Sequence, residues 1–249
     1  MESTVQIRKQ KALDFFLDEL LKTEARDSIA KVILFGSLLK GEAKEESDID
    51  LLVVALDSPR KVSNACADAA FEAALANGES VEPLVRCIDE ARYPRSYFVY
   101  STLKRGREVY SMNSQELKRR ESRNYLALGE EYLDGSRDAL QRGFFRIAVD
   151  AGYNACELAI KGLLLSRLSD LPGSYGGIVN KFGDIYVRSG ELPKELGRQI
   201  RLALEKRNNA RYEPHAQITK EEAEDMVALG EKLRLVLEHK TGGTLITRQ

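Results

Sequence analysis

The sequence predicts an α+β chain. Strands and helices alternate over residues 1–112, residues 113–240 are helical throughout, and 241–249 form a flexible tail. Three observations carry that reading. Short runs rich in β-branched and aromatic residues stand at 31–35, 48–54 and 80–87, bounded by glycine or polar loops, as buried strands are. Apolar residues at helical spacing fill the intervals and take over beyond the boundary Ser111-Met112-Asn113-Ser114. The 249 residues, 43% apolar and 31% charged, suffice for one large or two ordinary globular domains.

The totals exclude some classes. A net charge of −1 gives no bulk attraction toward nucleic acid. Cys66, Cys87 and Cys156 are scattered and form no Cys-x-x-Cys pair, so they read as reduced thiols filling space in a cytosol. Residues 1–10 are polar and charged, unlike a signal peptide, and no apolar run could span a bilayer. The expected location is cytoplasmic, with no membrane partner.

In chain order, Ser3-x-x-Gln6 reads as a capping box opening a helix to about residue 22, with Leu13, Phe16, Leu17, Leu20 and Leu21 at helical spacing. The strand at 31–35 ends at Gly36-Ser37. Glycine lets the backbone turn sharply and approach a ligand closely, and Leu38-Leu39 suit the first turn of a helix. Free N–H groups and the helix dipole at such a start attract phosphate. Gly41 ends this short helix, and a polar loop, 42–47, leads into the strand at 48–54. Asp48 and Asp50, two apart on a strand, share one face at about 6.6 Å along the backbone, while Ile49 and Leu51 face a core. Two carboxylates beside a phosphate-binding turn suit Mg²⁺, or Mn²⁺, carrying triphosphate oxygens. Ser58-Pro59 reads as an N-cap and first-turn proline of a helix that stops near Asn77-Gly78. A strand at 80–87 follows.

The stretch Gly36, Ser37, Gly41, then Ser47, Asp48, Asp50 and Leu51 resembles the signature of the nucleotidyltransferase superfamily of DNA polymerase β and kanamycin nucleotidyltransferase, and more narrowly its minimal nucleotidyltransferase group. The resemblance implies a mixed sheet and a nucleoside triphosphate held at Gly36, Ser37, Gly41 and Ser47, with divalent metal on Asp48 and Asp50; ATP is the triphosphate expected, though the sequence does not fix which is used. It also implies a third carboxylate on the strand after the next helix, where Glu82 stands as metal ligand or base, and a closing helix and short last strand, which the stretch from Tyr93 through Tyr97, Phe98 and Leu103 to residues 106–110 resembles. Glutamate is longer than the aspartate usual there, and Pro83 suits an edge strand or a bulge.

The second part reads as about five helices: 114–142, a small-residue-rich helix after Gly143, 177–188, 194–207, and one opened by the capping box Thr219-x-x-Glu222 and running through His239. Ala148, Ala151, Gly152, Ala155 and Ala159 let another helix pack closely against the second of these. The residues 155–164, Phe182 and 207–214 give this bundle a resemblance to the HEPN domain, which implies a homodimer through the bundle. Some HEPN domains are ribonucleases with arginine, four to six residues, then histidine. Here Arg207 and His215 are separated by seven residues, and Arg211 and His215 by three, so neither spacing fits. The basic run Lys118, Arg119, Arg120 and Arg123 reads as a solvated face, or as a contact for triphosphate or a nucleic-acid backbone.

The leading expectation is a metal-dependent transfer of a nucleoside monophosphate from ATP to an acceptor hydroxyl bound between the two domains. The alternatives are a nucleotide-sensing or interaction module without transfer, and an RNA-directed toxin fused to its modifier.

Overall fold

In the computed structural model, which describes residues 4–242 and Tyr175 by its backbone alone, the chain divides between Ser114 and Gln115 into two compact units. The first holds α1 (Thr4–Lys22), β1 (Ile29–Leu34), α2 (Gly36–Lys40), β2 (Ile49–Ala55), α3 (Pro59–Asn77), β3 (Val81–Cys87), α4 (Ile88–Arg92), α5 (Tyr97–Arg105) and β4 (Arg107–Ser111). Its strands form one mixed sheet in the order β3-β2-β1-β4, with β1 antiparallel to β2 and β4, and β2 parallel to β3.

The side-chain period of two divides β2 cleanly. Ile49, Leu51, Val53 and Ala55 are fully buried in a core with Leu13, Phe16 and Leu20 of α1 and Val62, Cys66, Ala69 and Ala73 of α3. Asp50, Leu52 and Val54 face the opposite side. Edge position explains Pro83, whose missing N–H breaks no central ladder.

Several local expectations change. Ser58 sits at the N-cap of α3, but its backbone is left-handed (φ 45°) and its hydroxyl makes no capping bond; Pro59 still opens the helix. Cys66 and Cys156 are buried, and burial pushes each thiol up to about 12, whereas Cys87 is exposed at the end of β3 and fills no core. The one-turn α4 lies where no regular element was expected. Ser3 and residues 243–249 lie outside the described residues, while Thr241 is still helical and Gly242 caps α10 in the left-handed region.

The second unit holds α6 (Ser114–Gln141), α7 (Phe145–Leu165), α8 (Tyr175–Phe182) continued by a π-helical turn (Gly183–Val187), α9 (Lys194–Tyr212) and α10 (Lys220–Thr241). α7 is apolar nearly all round and is the buried centre of this bundle. A Cβ on Gly152 would stand 2.8 Å from Met226 Cγ and 2.9 Å from Ser136 Oγ, so the glycine lets α10 and α6 close on α7. Both arms of the capping box at Thr219 and Glu222 are made. Among the described residues no helix is long and apolar enough to cross a membrane.

Candidate active site

β1 ends at Leu34, and Phe35 still donates its N–H to the Asp50 carbonyl (3.1 Å), which locks the start of α2 beside β2. Gly36 has φ +76°, and a Cβ there would fall 1.9 Å from Asp50 Oδ2 and 2.8 Å from its Cγ. Gly36 is therefore required by the Asp50 carboxylate packed against it, a reason additional to any approach by phosphate. Gly41 ends α2 at φ +74° with its N–H on the Leu38 and Ser37 carbonyls. Ser37 is half-buried inside the turn so formed.

β3 lies parallel to β2 with Asp50 directly opposite Glu82. Residues opposite one another in a ladder project to the same side of a sheet, so Glu82 shares the face of Asp50. Asp48 stands one residue before β2. The Asp50 carboxyl is raised above its ordinary value, first by partial burial, then by the negative charge of Glu82 and that of Asp48. The charges of Glu82 and Asp48 thus both reach the Asp50 carboxyl.

Among the described residues no group of three or more histidine, cysteine, aspartate or glutamate side chains is close enough to hold a metal ion. The donor chemistry still fits a hard cation. All three groups offer carboxylate oxygens, and the charge that raises Asp50 is the charge a divalent ion would neutralise.

Ser47 Oγ accepts the Lys44 N–H at 3.0 Å, and the Ser47 N–H reaches the Lys44 carbonyl at 3.2 Å. Its hydroxyl thus closes the loop that delivers Asp48. Sequence reasoning missed what anchors that loop. Lys9 of α1 is fully buried and donates to the Ser47 carbonyl (2.5 Å), the Glu45 carbonyl (3.2 Å) and Glu79 Oε2 (2.5 Å). Arg8 pairs with the other Glu79 oxygen. Burial opposes ionisation of Glu79, but its bonds to Lys9 and Arg8 outweigh that and hold it below the usual carboxylate value. One signal was available: Lys9 lies a turn ahead of Leu13 on the apolar stripe of α1.

The helical unit treats its candidates differently. Arg207 is buried in α9, its Nε 3.4 Å from Asp150 Oδ1 and its guanidinium over the rings of Tyr153 (5.6 Å) and Tyr212 (5.7 Å). Arg211 is more exposed and lies 3.8 Å from the same Asp150 oxygen. His215 is exposed in the turn beyond α9. Arg146 holds that turn by donating to the carbonyls of Asn209, Ala210, Glu213 and Ala216. In the basic run of α6, Arg119 and Arg120 pair with Glu116 of their own helix, and Lys118 donates to the Arg167 carbonyl.

Comparison with known proteins bears on both units. Residues 16–109 match the nucleotidyltransferase domain and residues 122–240 the HEPN domain. MJ0142, a candidate toxin of Methanocaldococcus jannaschii, is 29% identical over 112 residues, 45% of this chain and 76% of that protein. Two candidate protein adenylyltransferases of the same organism match over shorter stretches. MJ1305 is 44% identical over 55 residues, 21% of this chain and 37% of its own length. MJ0604 is 46% identical over 48 residues, 19% of this chain and 47% of its own. The chain thus spans under half the length of these two adenylyltransferases.

Proposed function

Because this chain joins a nucleotidyltransferase domain to a HEPN domain, we propose that it moves a nucleoside monophosphate from ATP to an acceptor hydroxyl, using Asp48, Asp50 and Glu82. The observation that supports this reading is the placement of Asp50 directly opposite Glu82, with Asp48 acting on the same carboxyl and Gly36 packed under it. The Gly36–Ser37 turn offers backbone N–H groups and the Ser37 hydroxyl to the triphosphate oxygens. Asp48 and Asp50 would hold a divalent cation, magnesium or manganese, which when bound supplies Lewis-acid stabilisation of charge on the phosphate oxygens. The acceptor oxygen forms a bond to the α-phosphorus as the bond to the pyrophosphate oxygen breaks. Pyrophosphate leaves with that electron pair, and Glu82 takes the acceptor proton. Positioning and electrostatics carry most of this chemistry, so few other side chains are demanded.

A second reading is an RNA-directed toxin; the likeness to MJ0142, itself a candidate toxin, favours the toxin part of it. In that reading Arg207 and His215 would act together on RNA, yet Arg207 is buried against Asp150 and two tyrosine rings.

The experiment is incubation with labelled nucleoside triphosphates, Mg²⁺ and cell extract. Pyrophosphate release with label fixed to an acceptor is expected. Nucleotide binding without release would replace the reading with a sensing module. RNA cleavage lost in His215→Ala would replace it with the toxin.

A further inference from the structure

We propose that the outer side of α5 and the turn before it bind single-stranded nucleic acid. Between positions 92 and 107 the chain has five lysines and arginines and no aspartate or glutamate, in a protein whose net charge is −1. Aromatic residues alternate with these cations and stay in solvent: Tyr97 is 73% exposed, Tyr100 49% and Phe98 43%. Arg95, Lys104 and Arg105 are exposed beside them.

The fold fixes which side of α5 is presented. Val99 and Thr102 are buried beneath the helix, and Gly106 at its end lies so near Ile33 that a Cβ would fall 2.4 Å from Ile33 Cγ2. Ile33 pairs with Leu52, two residues from Asp50, so α5 packs on the sheet face that carries the carboxylates. Phe98 meets Phe35, the residue before Gly36, edge to face at 5.3 Å. The patch therefore borders the phosphate turn. On the outward face Tyr97 and Tyr100 lie 6.5 Å apart, and the Lys104 ammonium stands 5.7 Å over the Tyr100 ring.

Rings held in solvent at successive helical turns offer π-faces on which unpaired bases stack. Cations between them meet the phosphates that join those bases. A run of cations with no acid among them, in a chain whose net charge is −1, attracts a polyanion. A duplex keeps its bases stacked internally, so the aromatic faces select a single strand. The binding claim is independent of transfer chemistry and is read without turnover.

The test is fluorescence anisotropy on the full chain, with labelled oligo(U) RNA, oligo(dT) DNA and a duplex, each of about 12 nucleotides. Binding of either single strand in preference to duplex is expected. Tyr97→Ala/Tyr100→Ala should weaken it about tenfold without changing its salt slope, since stacking releases no counterions. Arg95→Gln/Arg105→Gln should weaken it and flatten the slope by about 1.4. Both double variants should keep the wild-type circular dichroism and Tm, because the altered side chains lie in solvent. The proposal is overturned by no binding at about 100 μM protein, the weak end of non-specific contacts, by duplex binding as tight as single-strand binding, or by affinity unchanged in both folded variants. Displacement of the oligonucleotide by polyglutamate at equal charge would also overturn it, in favour of an acidic polypeptide.

Discussion

The two units place their polar residues by different means. In the N-terminal unit, strand periodicity and ladder register put Asp50 and Glu82 on one face, and the turn after β1 brings Gly36 under Asp50. In the helical unit, Arg207 lies inside the packing against Asp150 and tyrosine rings, while His215 lies in the turn beyond the helix. A sheet converts spacing in sequence into position on a face, whatever the loops do. A helix end does not, because where it stops depends on partners distant in the chain.

The largest expected effect sharpens that contrast. Asp48→Asn and Asp50→Asn should each lower metal-dependent pyrophosphate release by about 10²–10³-fold or more, because each removes a charged oxygen ligand with little change of shape. His215→Ala should leave the release unchanged. Retained turnover in both asparagine variants, at wild-type Tm, would break the comparison by removing the site from the sheet.

Gly36→Ala comes next. The added Cβ would overlap the Asp50 carboxylate, and φ of +76° is strained for any other residue. A carboxylate displaced by about 1 Å costs on the order of a hundredfold in turnover. Calorimetric titration with ATP should show weakened binding as well. Unchanged affinity and turnover would mean that the turn yields without moving Asp50.

Much of this was legible beforehand. Gly36, Gly41 and Asp50 could be placed on a turn and a strand because their spacing is local, whereas Asp48, expected on the strand, falls one residue before β2; Pro83 suited an edge or a bulge, and β3 is an edge. The buried pair Lys9 and Glu79 was not, since the two are 70 residues apart and each reads alone as a surface charge. The end of α9 was missed for a similar reason. Asn208-Asn209 looks like a helix stop, yet α9 continues to Tyr212. Arg146, more than 60 residues earlier, accounts for this by donating to the carbonyls of Asn209, Ala210 and Glu213. Contacts made across such distances leave no local pattern.

Lys9 therefore gives the third prediction. Lys9→Met leaves buried Glu79 with Arg8 alone and frees the Ser47 carbonyl. Breaking a buried pair costs about 3–5 kcal/mol, so hydrogen exchange should quicken in β2 and the 42–48 loop but not in α7. The pH dependence follows from Glu79. Its folded pKa is lowered, so its stabilising contribution is complete above the unfolded value of about 4.3 and is lost as pH falls through the folded value. Glu79→Gln should thus be less stable than wild type at neutral pH, and the gap in Tm should close below about pH 4. A gap independent of pH would show that the charge of Glu79 does not matter.

The most discriminating prediction concerns Glu82. The side chain is exposed on an edge strand, opposite Asp50, yet three metal-ligating side chains are not gathered among the described residues. Those facts separate two roles. A residue acting from outside the metal's own ligands would cost about 10–100-fold when neutralised. A base taking the acceptor proton would cost about 10²–10⁴-fold. Glu82→Gln keeps the turn, Asp48 and Asp50, so ATP affinity should stay at the wild-type value. A loss of transfer near tenfold, recovered at high Mg²⁺, assigns Glu82 to holding the cation through its neighbours. A larger loss that no Mg²⁺ concentration recovers assigns it the proton. Wild-type transfer would instead remove Glu82 from the site and leave two aspartates to do the work, which would make the sheet less different from the bundle than its register suggests.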